Sequence, residues 1–500
     1  MKIFNNGNFY SAKDDNSFFS TLITEKGKIV FTGNEIPARY KNISPVDMNG
    51  RLVLPAFGDN HMHFSSYAYF LGGFDWRNYT SIDDAVSGLS DFFKNEYDQK
   101  IIVGFGSSSH KMLEKRDPER EDLDRVSRKH PIFIIKYDGH AGVGNSAFIK
   151  MLPDYILKMR GAIPDRGWFF NDSFFPAADF AAKSLSVAEL IKRMKNASRK
   201  LSEYGISFVH TAEGVGYPFD LDVDMTRFVS KFLDQDFKVF FQTMNTLKVR
   251  FRRLKQIGGC FDTALDGCFG SLDAALKDVY SNDCLNKGIL FYDDKTIFKF
   301  IEKSFRSKLQ VAVHAIGDAA VEQGVNAFFK ASEKYPCPDR RNIIIHGDLV
   351  SEDVMEMAAN LNLVFAVQPS FLHWEEEPEI YLDKILGKRA KKLIPIRSLI
   401  QSGIVVTGGS DAPCTVPDPL HGIYSAVNHP NEDESISVFE AVKLYTKNLA
   451  WSAFEEKIRG MLDVGMNADF IILDNNIFDM DNSDIKNTKV LSLYIGGKKV

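Results

Sequence analysis

Along the middle of the chain, short apolar runs end repeatedly on a polar side chain. Residues 52–57 (LVLPAF) run up towards Asp59, 311–313 (VAV) to His314, 343–345 (III) to His346 and 404–406 (IVV) towards Asp411. Runs without polar alternation fit parallel strands buried on both faces, polar only at their C-terminal ends. Helical spacing fills the gaps. After His314, Val321, Val325, Phe328 and Phe329 share one face; after His346, Ser351 can cap a helix whose Val354, Met357, Ala358 and Leu361 share another. His314 and His346 lie 32 residues apart, one βα unit, and His346 and Asp411 lie 65 apart, about two, with 361–371 (LNLVFAVQPSF) as the strand between. This alternation predicts an α/β chain with a parallel barrel or open sheet over residues 53–459. A (β/α)8 barrel typically takes about 250 residues and can exceed 400 with insertions, so insertions are expected here. Between about 100 and 270, the runs IIVGFG, PIFIIKY, ISFVHTA, KVFFQTM and GGCFDTALDG are more strand candidates than a barrel has places.

The two ends of the chain share another pattern. Short strand-like runs broken by Gly and Asn occur at 28–32 (KIVFT), 470–473 (FIIL) and 491–495 (LSLYI). Neither end is long enough to hold its own core, so the two are expected to pair into one small β domain of residues 1–52 and 460–500.

Composition narrows the functional classes. In 500 residues, 44% hydrophobic and 25% charged positions match ordinary globular usage. The 61 Lys and Arg against 66 Asp and Glu give a net charge of -5, with no basic excess to neutralise a phosphate backbone, so no nucleic-acid partner is expected. The first residues show no basic and apolar leader pattern, and no uncharged apolar run approaches the ~18 residues of a membrane span. A cytoplasmic protein with no membrane partner is the expectation, and a homo-oligomer stays open. The five cysteines, Cys260, Cys268, Cys284, Cys337 and Cys414, show no paired spacing, which indicates neither a disulfide framework nor a cysteine zinc site. Any metal is then expected on histidine and carboxylate.

The candidate chemistry sits at the strand ends. In HMH, His61 and His63 are two residues apart, and on an extended backbone residues i and i+2 point to the same side. Two imidazoles so placed favour one metal. His314 in VAVHAIGD, His346 in IIIHGDLV and Asp411 in TGGSDAP each end a predicted strand, on the face where barrel enzymes assemble their sites. Four imidazoles and a carboxylate suit zinc, with iron or manganese less favoured.

With these residues in place, the chain resembles the amidohydrolase superfamily, specifically its amidohydrolase-3 branch of metal-dependent hydrolases. RLVLPAFGDNHMH, DGHAGVGNSAF, DGCFGSLDAALKDVY, VAVHAIGDAAVEQGV, GSDAPCTVPDPLHGI and GMLDVGMNADFIILD look like segments of that branch in its order, over nearly the whole chain. The resemblance implies a (β/α)8 TIM barrel plus a small β-sandwich formed by both termini. It implies hydrolysis, usually of non-peptide C-N bonds in small molecules such as amides, formamides or cyclic amides. His61 and His63 resemble the ligands after strand one, His314 and His346 those after strands five and six, and Asp411 the strand-eight aspartate. Asp411 would then act as general base and afterwards as acid, while the metal and His346 polarise the carbon under attack.

His140 and Asn145 match a segment that lines the site and are candidate substrate contacts, as is His210 after ISFV. One departure concerns the metal count. Many members carry a lysine, carboxylated as a metal bridge, four residues before the DG of the DGSLGSRTA-like segment; here that place is Asp262, four before Asp266. A bridge would have to come from Asp262, Asp266 or solvent, so one cation is expected and two remain open. Lys136 and Glu213 are further donors, read as solvated or salt-bridged. Ester, lactone or deaminase chemistry at the same site is the alternative within enzymes, and a non-catalytic metal-containing binding or regulatory protein the alternative outside them.

Overall fold

The computed structural model describes residues 1–96 and 99–500. Its centre is an eight-stranded parallel sheet of β1 (Phe57–Met62), β2 (Ile206–Glu213), β3 (Asp236–Phe241), β4 (Gln256–Ala264), β5 (Gln310–Ala315), β6 (Ile343–His346), β7 (Val364–Val367) and β8 (Val405–Gly408), each paired with the next. The sheet curls so that β8 meets β1. At that seam the Asp411 amide donates to the His61 carbonyl (2.8 Å) and the His63 amide to the Ala412 carbonyl (2.8 Å). Buried Asp59 adds to the closure, its Oδ1 accepting from the amides of His61 (3.0 Å) and Ser410 (3.2 Å). The barrel is thereby closed around its own strand ends, and the fold is a TIM barrel.

The helix expected after His314 spans Asp318–Lys334 and buries Val321, Val325 and Phe328, while Phe329 lies at the edge of that face, 41% exposed. The helix after His346, Glu352–Asn360, starts behind Ser351 and buries Val354, Met355 and Ala358.

The surplus of strand candidates belongs to a second sheet. Between β1 and β2 the chain builds six strands in the order Ala162–Ile163, Trp168–Phe170, Ala141–Gly144, Ile132–Lys136, Ile102–Ser107, Phe74–Asp75, with apolar clusters of its own. IIVGFG and PIFIIKY are strands of this insertion; ISFVHTA, KVFFQTM and GGCFDTALDG carry β2, β3 and β4. The insertion meets the loops at the C-terminal end of the barrel: Arg77 donates to the carbonyls of Pro413 (2.8 Å) and Cys414 (3.2 Å), and the Tyr137 hydroxyl donates to Glu377 Oε1 (3.1 Å).

Strands from both termini join one sheet, in which Phe470–Leu473 pairs with Leu52–Pro55 and the latter with Lys2–Tyr10. The apolar run at 52–57 is therefore two strands. Pro55, which has no amide to donate, ends the first, and the Ala56 amide bonds the Asp469 carbonyl before β1 begins. Alternation divides the burial: Val53, Phe470 and Ile472 join the cluster of the terminal sheet, whereas Leu52, Leu54, Ile471 and Leu473 pack into the core shared with the barrel. Among the described residues, no helix is long and apolar enough to cross a membrane.

One local feature of β4 aims the site. Gly258 and Gly259 have φ of +97° and +136°, and a β-carbon on Gly258 would lie 1.9 Å from the Ala312 carbonyl oxygen. After them the register with β5 slips: Gly259 faces Val313, but the next pair is Ala264 with His314. Residues 260–263 thus bulge out of the pleat. Gly258→Ala is expected to destabilise the protein by at least about 1–3 kcal/mol, the cost of a strained backbone position, read as a lower thermal midpoint.

Candidate metal centre

His61 lies at the end of β1 and His63 directly follows it, with Met62 buried between them in the apolar core, so both imidazoles face the same side. Their Nε2 atoms converge on one oxygen: Asp411 Oδ1 lies 3.1 Å from that of His61 and 3.3 Å from that of His63. All three residues are buried. Asp411 and His346 both adopt left-handed backbone conformations, with φ of 53° and 69°. Strain of this kind in non-glycine residues recurs at functional sites, where the surrounding structure has to hold it.

Neighbouring groups set the protonation of the imidazoles. His63 Nδ1 lies 3.1 Å from the Ala212 carbonyl, which can only accept, so Nδ1 carries a hydrogen and, in the neutral ring, Nε2 keeps its lone pair. Nε2 and the Asp411 carboxylate oxygen are then two acceptors 3.3 Å apart. They repel unless a proton or a cation lies between them. His346 is set in the same way: Gln368 donates to the Ala366 carbonyl (2.9 Å), which turns its oxygen towards His346 Nδ1 at 2.5 Å. His346 Nε2 is buried without a partner.

Burial pushes His346 down to about 4 and lowers His61. Burial opposes the charge on Asp411 too, yet the two imidazoles that face it, His61 and His63, hold its carboxyl well below the usual range. At His63 burial is outweighed by Asp411, and its pKa rises. An ionised carboxylate facing imidazole nitrogens is a donor set suited to a divalent cation, which takes the place of any proton on His63 Nε2. His61, His63 and Asp411 form one group whose ligand atoms all lie within 4.8 Å of one another; His61, His346 and Cys260 form a second.

The family model described as "Amidohydrolase family" matches residues 45–500. The chain belongs to the amidohydrolase family. It is 27% identical to a putative amidohydrolase, YtcJ, of Bacillus subtilis (strain 168), over 100% of this chain and 99% of that protein. It is 22% identical to an N-substituted formamide deformylase of Arthrobacter pascens, over 98% and 96%. Its fold matches an uncharacterized metal-dependent hydrolase from Pyrococcus furiosus with a TM-score of 0.77, at 23% identity, covering 96% of this chain and all of the other. The family match assigns the chain to the amidohydrolase family, and the structural likeness shows the fold.

The remaining candidate residues are placed unevenly around this amidohydrolase centre. His314 packs its ring on that of His346, 4.5 Å between centroids, but its Nε2 faces the Gly267 carbonyl (3.2 Å) and it stands outside both ligand groups. Asp262 does not reach the centre: its side chain is exposed, and the charges acting on it are those of Lys248 and Asp220. Asp266 is buried, but its two oxygens accept from the amides of Ala275, Ile316 and Gly317 at 2.8–3.0 Å. It braces the loops beside β5. Lys136 is paired with Asp138 (2.8 Å), and Glu213 holds the start of the helix after His63 by accepting from the Ser65 amide (3.1 Å).

Asn145 is corrected from substrate contact to helix cap. Its oxygen accepts from the Ile132 and Phe148 amides and its nitrogen donates to the Ser127 and His130 carbonyls, so no polar atom is left for a ligand. His140 is half-buried, beside Phe261. His210 is buried in the barrel, lining a small cavity with His61, Asn60 and Phe240, and neither ring nitrogen has a partner. His346 cannot polarise a substrate by donating a hydrogen bond, since its hydrogen is on Nδ1; what it offers the centre is a lone pair.

Gln368, which orients that lone pair, carried no sequence signal beyond its place at the end of a strand. Gln368→Ala is expected to weaken metal affinity or activity by about 10–100-fold, the usual cost of losing the hydrogen bond behind a ligating histidine; competition against a chromophoric chelator measures it.

Proposed function

We propose that this protein hydrolyses a non-peptide C-N bond of an amide, formamide or cyclic amide in a small molecule, with zinc as its metal. The observation that carries the reading is the convergence of His61 and His63 on one oxygen of Asp411 at the C-terminal mouth of the barrel. Zinc held by His61, His63, Asp411 and His346 would supply a Lewis acid able to bring the pKa of water from about 15.7 to about 7. Asp411 takes the proton of the attacking water on its carboxylate and delivers it to the leaving nitrogen, acting as base and then as acid.

Rings flank the centre on two sides. Phe371 stacks on His346 (6.1 Å), and Trp374 on Phe371 (4.5 Å). At His63, Phe261 meets the imidazole (5.4 Å) and Phe175 meets Phe261 (5.5 Å). Such walls favour an apolar or aromatic substituent on the scissile group, a preference in keeping with the N-substituted formamides named for the Arthrobacter relative. A panel of N-acyl and N-formyl compounds, assayed with and without chelator, tests the reading. Turnover abolished by chelator and restored by zinc is expected; turnover indifferent to chelator would refute the metal's part, and tight ligand binding without any turnover would point to a binding protein.

A further inference from the structure

We infer that Cys260 supplies a thiolate ligand to the metal centre, on the side formed by His61 and His346. The inference rests on the metal-centre reading above and adds a donor that histidine and carboxylate patterns do not contain. Cys260 is 7% exposed, and its Sγ lies 3.3 Å from His61 Nε2. Sγ and the donor nitrogens of His61 and His346 lie within 4.8 Å of one another. The unpartnered, buried Nε2 of His346 is the second indication of a ligand there, since its lone pair faces no donor of the protein.

The backbone delivers the thiol into this cluster. The left-handed glycines Gly258 and Gly259 release β4 from its pleat immediately before Cys260, and Phe261 follows with φ of 48°. The bulge is pinned at both ends of Cys260: its amide donates to Gln242 Oε1 (2.9 Å) and its carbonyl accepts from the Thr263 hydroxyl (3.2 Å). A buried cysteine often serves as a small apolar filler, but here an imidazole nitrogen lies 3.3 Å from the sulfur. Neither Asp262 nor Asp266 takes its place, because Asp262 is exposed and Asp266 is bound to three amides.

Loading is a proton-for-metal exchange. The Cys260 S-H bond breaks, its proton leaves to solvent, and sulfur forms a bond to the divalent cation with no change of oxidation state. A thiolate favours zinc or another soft or borderline cation over magnesium or manganese.

X-ray absorption at the zinc edge of the full-length, zinc-loaded protein tests the proposal. A sulfur scatterer at about 2.3 Å beside nitrogen and oxygen at about 2.0–2.2 Å is expected in the wild type. It should persist in Cys414→Ser, a control for the half-buried cysteine whose amide bonds the Asp411 carbonyl, and vanish in Cys260→Ser. Cys260→Asp, which restores an anionic donor, should keep zinc and lose the sulfur path, so the test survives a serine variant that fails to fold. A sulfur path that outlives either Cys260 substitution, or zinc surrounded by nitrogen and oxygen alone in the wild type, would overturn thiolate ligation and leave the metal centre standing. Absence of any retained zinc in the wild type would overturn both.

Discussion

Asp411→Asn is expected to lower kcat by at least ~10²-fold, the usual contribution of a positioned acid-base group. The amide has nearly the shape of the carboxylate, and the Asp411 backbone is held independently through its bond to the His61 carbonyl. What the substitution removes is the charge shared with His61 and His63 and the capacity to take a proton. Rates should be normalised to bound metal, measured by elemental analysis on the same sample, because an amide is also a poorer ligand. A variant that turns over at the wild-type rate per bound metal would exclude Asp411 as the base.

Replacing His61 and His63 together by Ala is expected to abolish metal retention and, with it, all activity. His61 belongs to both groups of close donors, so its loss thins each of them, and the loss of His63 leaves Asp411 without its second imidazole. The fold is expected to survive. The seam bonds of this segment, from the Asp411 amide to the His61 carbonyl and from the His63 amide to the Ala412 carbonyl, are made by backbone atoms that alanine also carries. Full metal content in a double variant with wild-type circular dichroism would show that the cation sits elsewhere.

Much of the barrel is legible in the order of apolar runs, because a strand buried on both faces must be apolar along its length and can turn polar only where it emerges. That reasoning places His314, His346 and Asp411 at strand ends, and the two-residue period of an extended chain places His61 and His63 on one side. The pairing of the termini follows from their being too short to fold alone. Each of these readings depends on neighbours in sequence or on bulk burial, which the chain states directly.

The rest depends on contacts between distant segments. The apolar runs at 102–107 and 132–136 have the composition of barrel strands, and only their pairing in a separate sheet assigns them to the insertion. Asn145 sits in a motif whose resemblance suggested a substrate contact, yet four hydrogen bonds to segments packed around it make it a cap. The same reason separates Asp262 from Cys260. Counting back four residues from Asp266 presumes an unbroken pleat, whereas Gly258 and Gly259 let β4 bulge, so the counted position turns to solvent and the cysteine turns inward. By itself, then, the sequence determined the strands, the barrel and the imidazole and carboxylate ends that face its mouth, because local period and burial are written residue by residue. Which donors meet there, and which are spent on holding the backbone, was decided only in three dimensions, since a bulge or a hydrogen bond to a remote carbonyl leaves no period in the chain.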